Sequence, residues 1–227
     1  MFPSKEHKHI FLLLTLITMP NQFLDLLQSK LNDEQFIDQL SQQIGGADKQ
    51  QTKKAAEGAV DALMGAMARN AKDPQQAQNL ANALERDHDG SILDDAMGFL
   101  SGQRQPDNPK MVNGSGILSH LLGGEQSNVI SMISQVAGMD QNKSGNLLAT
   151  LAPLVMGALG KTKKQSGLGV GDLMGLLSGT AQQRRQQGGT GSQMIAAFLD
   201  QDGDGDVTDD VTRIGGNLLR RFFSRKK

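Results

Sequence analysis

The sequence predicts an all-α fold: a duplicated small-helix bundle with two Asp-Gly loops preceding helices, joined by Gly/Gln-rich linkers. Three observations predict it. Apolar residues recur at helical spacing behind capping residues, as in Phe23, Leu26, Leu27 and Leu31. Segments of the first half return in the second. The 227 residues include no Cys, Trp or Tyr, so the core must come from Leu, Ile, Ala and the 11 Met, whose flexible thioethers make it deformable.

In order, residues 1–20 form a leader. Lys5, His7, Lys8 and His9 precede an apolar run from Ile10 to Met19 that is too short to span a bilayer. The run resembles the start of an export signal, but Pro20-Asn21-Gln22-Phe23 follows instead of a small-x-small cleavage site. The expectation carried forward is an over-long start, with translation from Met19 and a soluble cytoplasmic protein; export is the alternative. Residues 21–45 read as two helices, broken at Asn32-Asp33-Glu34 and stopped by Gly45-Gly46. Asp48 caps a helix over 48–70, whose Ala55, Gly58, Ala59, Ala62 and Gly65 let another helix approach closely. Asp73-Pro74 opens the next helix, with Pro at its first position.

Asp87–Asp95 is an Asp-Gly loop in which Ser91 is expected as N-cap and Asp94, three residues on, as its capping-box partner. Residues 101–115 read as a polar linker that closes a first repeat over 21–100. The second repeat, 116–223, holds helical pieces at 117–122, 129–136 and 144–159, the last with Pro153 as a kink or restart. Lys161–Gly171 reads as a basic, Gly-rich connection, Leu173–Leu177 as a short helical piece, and 179–193 as a mobile Gln/Arg/Gly insert. A final helix, 207–223, ends in a basic tail, 224–227.

The halves read as copies. Leu40–Gly45 aligns with Ile133–Gly138 at an offset of 93, and Leu63–Met67 with Val155–Leu159 at an offset of 92. The Asp loops stand 115 apart (Asp89 to Asp204), and the insert near 179–193 accounts for most of the excess. One duplicated unit predicts a pseudo-symmetric helical domain with a shared core.

The chemically distinctive run is Asp200–Asp210, with Asp200, Asp202, Asp204, Asp206, Asp209 and Asp210 in eleven residues. Two unit charges about 6 Å apart repel by roughly 0.7 kcal/mol even in water, and a hard cation would relieve that. Against the Ca2+ loop of helix–loop–helix proteins, Asp200, Asp202 and Asp204 take positions 1, 3 and 5, and Gly205 the sharp turn at 6. Asp206 follows at 7 and Thr208 at 9, but Val211 stands where a bidentate Glu belongs, and Asp210 is one residue early. The expected ligands of a shortened, dockerin-like Ca2+ loop are therefore Asp200, Asp202, Asp204, Asp206, Thr208 and Asp210. A metal-free turn is the competing reading: capping explains Asp206, Asp209 and Asp210, but not Asp200, Asp202 and Asp204. In the reduced copy, Asp87–Asp95, capping is expected.

Phe23–Leu27, Leu63–Met67, Asp89–Asp95, Gly116–His120, Leu151–Leu159 and Leu199–Gly205 together resemble the bacterial YidB-like family of unknown function. The resemblance spans roughly 21–223. It implies an all-α fold and carries no activity or catalytic residues to transfer.

Chemistry is otherwise sparse. His7 and His9 lie in the leader, His88 in the first loop as a solvated turn residue, and His120 among leucines as a packed one. No phosphate loop, His-Glu-x-x-His or nucleophile-elbow context occurs, so no enzyme is expected. A net charge of −1 gives no field to draw in nucleic acid. The expected function is thus a non-catalytic structural or interaction module with Ca2+ at 200–210 and an unidentified protein partner. The alternative is metal-independent binding to a protein or membrane surface. It would use the final helix, with its stripe of Val211, Ile214, Leu218 and Phe222 and its basic end at Arg220, Arg221, Arg225, Lys226 and Lys227.

Overall fold

Polar caps start the helices of this chain, and small residues let them meet closely. The computed structural model describes residues 22–104, 106 and 108–187, and among these the regular structure is entirely helical. The expected metal ligands, the final helix, the basic tail and the leader through residue 20 lie outside the described residues. Helix α1 covers residues 22–31. It is followed by α2 (Glu34–Gln43), α3 (Lys49–Asn70) and α4 (Pro74–Arg86). A 3₁₀ helix (Ser91–Asp95) leads into α5 (Ala96–Leu100), and another (Pro109–Val112) leads into α6 (Gly114–Leu122). Gly123–Glu125 is a further 3₁₀ turn before α7 (Gln126–Ala137), α8 (Gln141–Ser166) and α9 (Val170–Gln187).

Six of the described α-helices have carboxylate or amide N-caps whose side chains accept from their first free N–H groups. Asp33 caps α2, Asp48 α3, Asp73 α4, Asp95 α5, Asn113 α6 and Asp140 α8. Long α3 and α8 pack against each other. Around them α7 touches both, α6 both, α4 touches α8, and α9 touches α3 and α4. One apolar cluster joins both halves, from Phe23, Phe36 and Leu40 through Leu63 and Met67 to Leu118, Ile133 and Leu147.

The heads of α3 and α8 carry the same set of bonds, 92 positions apart. Asp48 (φ −61°, ψ 141°) accepts from the N–H groups of Gln50 and Gln51, and Asp140 (φ −61°, ψ 144°) from those of Asn142 and Lys143. Thr52 Oγ1 donates to the Asp48 carbonyl, and Ser144 Oγ to that of Asp140. Before them, Ser41 Oγ donates to the Ala47 carbonyl (2.6 Å) and Ser134 Oγ to that of Met139 (2.5 Å). The two heads also exchange bonds. Gln51 Nε2 donates to the Gly138 carbonyl (2.8 Å), and Lys143 Nζ donates to the Gly46 carbonyl. Gly46 (φ 72°) and Gly138 (φ 65°) both take the left-handed conformation that a Cβ disfavours.

Several boundaries differ from the expectation. Helix α8 runs through Pro153 and on to Ser166, so Lys161–Ser166 is helix and not a connection. Proline lacks the N–H that would bond the Ala149 carbonyl, four residues back. The backbone of α6 comes up against that carbonyl: a Cβ on Gly114 would stand 1.9 Å from the Ala149 oxygen.

The insert expected over 179–193 is helical as far as Gln187. Leu173, Leu176, Leu177 and Thr180 are buried on α9. Arg184 Nε donates to Asp61 Oδ1 at 2.6 Å, with the Asp61 side chain 2% exposed. A composition typical of linkers gave no hint of a partner 123 residues away in the chain.

The 101–115 stretch, expected as a polar linker, includes a 3₁₀ turn whose Asn108 and Met111 side chains contact the first Asp-Gly turn.

Candidate functional site

Gly90 (φ 95°) makes the sharp turn of Asp87–Asp95, and the turn lies directly on α8. A Cβ on Gly160 would stand 1.7 Å from the His88 carbonyl oxygen, and one on Gly157 2.5 Å from Ile92 Cγ2. A Cβ on Gly90 would stand 2.5 Å from Lys161 Cβ. Small residues on α8 therefore set the seat of the turn.

The carboxylates of the turn are answered by the protein itself. Asp87 Oδ1 accepts from Asn108 Nδ2 at 3.0 Å. Asp89 Oδ1 accepts from the Ser91 N–H at 3.1 Å, and Lys164 approaches its other oxygen at 3.6 Å. The Ser91 N–H foremost, then the Ser91 hydroxyl, with Lys164 contributing less, hold the Asp89 carboxyl below the usual carboxylate range. Asp94 pairs with Lys161 at 2.8 Å. Asp95 accepts from the Gly98 N–H at 2.8 Å and lies 3.8 Å from Arg104. Just upstream, Glu85 pairs with Lys163 at 2.6 Å.

Capping is thus performed here, but not by the pair the sequence suggested. Gly90, not Ser91, is the N-cap residue of the 3₁₀ helix; Asp89 bonds the Ser91 N–H, and Asp95 caps α5. Asp94, the expected capping-box partner, reaches across to α8. The reason is geometric: a 3₁₀ turn intervenes, so the first α-helical N–H groups come four residues later than the spacing implied.

His88, read as a solvated turn residue, is buried at 5% exposure, and its Nδ1 is enclosed with no hydrogen-bond partner. Burial pushes the imidazole below its ordinary value, against the opposing charge of Asp87. His120, expected to be packed, is exposed. Both rings line one open cleft of about 520 Å³ between α4, α6 and the 3₁₀ turn before α6. Leu80, Ala83, Ile117, Leu121 and Met156 contribute its apolar wall, and Arg86 and Lys110 are exposed cations at its edge. The Asn70 side chain donates to the His120 and Leu121 carbonyls, both at 3.4 Å, which ties the end of α3 to the far wall. The only signal for the cleft in the sequence is the clustering of Arg86, Asp87 and His88 at the end of α4.

Among the described residues, no group of three or more His, Asp or Glu is placed to hold a metal ion. No helix of the described residues is long and apolar enough to cross a membrane.

These features define an all-helical domain built round one central helix pair, with a closely seated Asp-Gly turn and an open polar cleft. The chain belongs to the family described as bacterial protein of unknown function (DUF937), whose model matches residues 25–162. No curated protein and no solved structure matches the chain.

Proposed function

We propose that this chain is a non-catalytic helical binding module, of the YidB-like kind within its family, and that its second Asp run, 200–210, holds Ca2+. The observation that carries the cation is the ladder Asp200, Asp202, Asp204 with Gly205, spaced as the first six positions of a Ca2+ loop. Asp206, Thr208 and Asp210 complete the ligand set. The described turn supports the reading by contrast. Its carboxylates are matched by Lys161, Lys164, Asn108 and backbone N–H groups, with Lys163 on Glu85, and so need no cation.

The second part of the reading is that the halves are copies. The recurring bonds at the heads of α3 and α8 support it. Under the same offset of 92, Lys161, Lys163 and Lys164 correspond to Arg69, Ala71 and Lys72. Arg69 already donates to the Leu121 carbonyl at 3.2 Å. The second run carries six carboxylates where the first carries four, and that denser charge favours an external cation.

The biological role in this reading is structural or interaction-based, in the cytoplasm, with a protein partner and without nucleic acid. In the cytoplasm a Ca2+ site of modest affinity would fill only when Ca2+ rises, whereas in an exported chain, the alternative, it would stay filled.

The test is a thermal melt of the full chain in Ca2+, in Mg2+ and in EGTA. At 100 times the dissociation constant, Ca2+ is expected to add about 2.7 kcal/mol of stability. Asp204→Asn is expected to abolish that gain. Superimposed melts in all three conditions would overturn the cation assignment.

A further inference from the structure

We propose that the cleft between α4 and α6 binds a small amphipathic organic anion, an apolar body carrying a carboxylate head. Four observations converge on it. The cleft, at about 520 Å³, has the size of a small-molecule site. Its wall of Leu80, Ile117, Leu121 and Met156 offers apolar surface to a ligand body. Arg86 and Lys110 lie exposed in its lining, and neither forms an ion pair among the described residues. The one carboxylate in the lining, Asp87, accepts from the neutral Asn108 amide and keeps its charge, so two cations face one anion and the lining is left net positive.

His88 supplies the fourth observation. It is more than nine-tenths buried, lines the same cleft, and makes no side-chain hydrogen bond to any described residue. Buried polar groups are normally satisfied, and His88 is left without a partner; its Nδ1 is enclosed, so the ring reports on a ligand in the cleft and is not itself the anion's contact. The N-terminus of α6, at Asn113 and Gly116, also borders the cleft and adds partial positive charge. The site is independent of the proposed cation loop, and either can fail alone.

The probe is octanoate, with octan-1-ol as its neutral counterpart and inorganic phosphate as the anion without a body. Full-length protein with 13C-methyl methionine and 13C-labelled histidine would be titrated by NMR. Octanoate is expected to shift the Met156 methyl and His88 ring signals saturably. Octanol is expected to bind at least about tenfold more weakly, as is octanoate to the double variant Arg86→Gln/Lys110→Gln. Both substituted residues are exposed, and an unchanged melt would show that the variant folds. Absence of saturable shifts would overturn the proposal. So would octanol equal to octanoate, undiminished binding to the variant, or phosphate binding as well as octanoate, which would make the site one for inorganic anion.

Discussion

Both ends of α3 tie side chains to backbone carbonyls far along the chain, but only the second opens onto polar groups left without partners. At its start, side chains from one half meet backbone carbonyls of the other: Gln51 bonds Gly138, and Lys143 bonds Gly46. Nineteen residues further on, about 28 Å along the helix, Asn70 opens onto a cleft where His88 Nδ1 has no partner and Arg86 and Lys110 no counter-ion among the described residues. The first end has spent its polar groups on architecture. The second uses Arg69 and Asn70 in the same way, yet Arg86, Lys110 and His88 beside it stay without partners among the described residues. Satisfied polar groups fix a fold, whereas unsatisfied ones in a concave wall are where a ligand gains most.

Three tests would break or sharpen this contrast. The largest effect is expected where the turn that carries His88 is seated. Gly160→Ala places a Cβ against the His88 carbonyl, a backbone atom that cannot swing aside. Overpacking of this kind costs roughly 1–3 kcal/mol, to be read as a lower melting temperature and as perturbed His88 ring signals. Gly175→Ala, on the open side of α9, meets nothing and is expected to raise stability by up to about 1 kcal/mol through helix propensity. Equal losses at the two positions would show that the turn is not seated as described.

The next effect tests the matched end. Asp48→Ala and Asp140→Ala each remove a cap that accepts two N–H groups, and each is expected to cost about 1 kcal/mol in denaturant unfolding. Similar losses would support equivalent heads of α3 and α8. A loss confined to one would break the equivalence.

The smallest effect belongs to His88 and depends on pH. Burial lowers its folded-state value, so the unfolded chain takes up the proton first. Its contribution is complete above the ordinary imidazole value of about 6.5 and is lost as pH falls through that value towards the lower folded one. His88→Phe is expected to flatten this acid-side decline in a series of melts from pH 7.5 to 5. An unchanged slope would assign the decline to other groups. Asp89 acts in the same direction at lower pH, because its carboxyl is also held below its ordinary value.

Much of the helical layout was legible in the chain. Asp33, Asp48 and Asp73-Pro74 mark helix starts because a carboxylate before a helix bonds its free N–H groups wherever the helix later packs. Gly45-Gly46 ends α2 because both glycines take positive φ. These are local interactions, settled within a few residues. Where partners lie far along the chain, local reading failed. Residues 179–187 looked like a linker, but Thr180 is buried and Arg184 finds Asp61 on α3. Pro153 read as a kink or restart within a helix ending at Leu159; α8 runs through it to Ser166, with Gly114 close against the carbonyl that proline leaves free.

The sequence by itself determined the all-helical class and the helix starts at Asp33, Asp48 and Asp73-Pro74, because each depends on residue type and short spacing. Only the tertiary structure decided that His88 is buried, that the acids of the first turn answer to lysines on α8, and that Arg86, Lys110 and Met156 share one cleft. Those facts join residues up to 75 positions apart, as in Lys164 with Asp89, and burial and pairing at such distances exist only once the helices have packed.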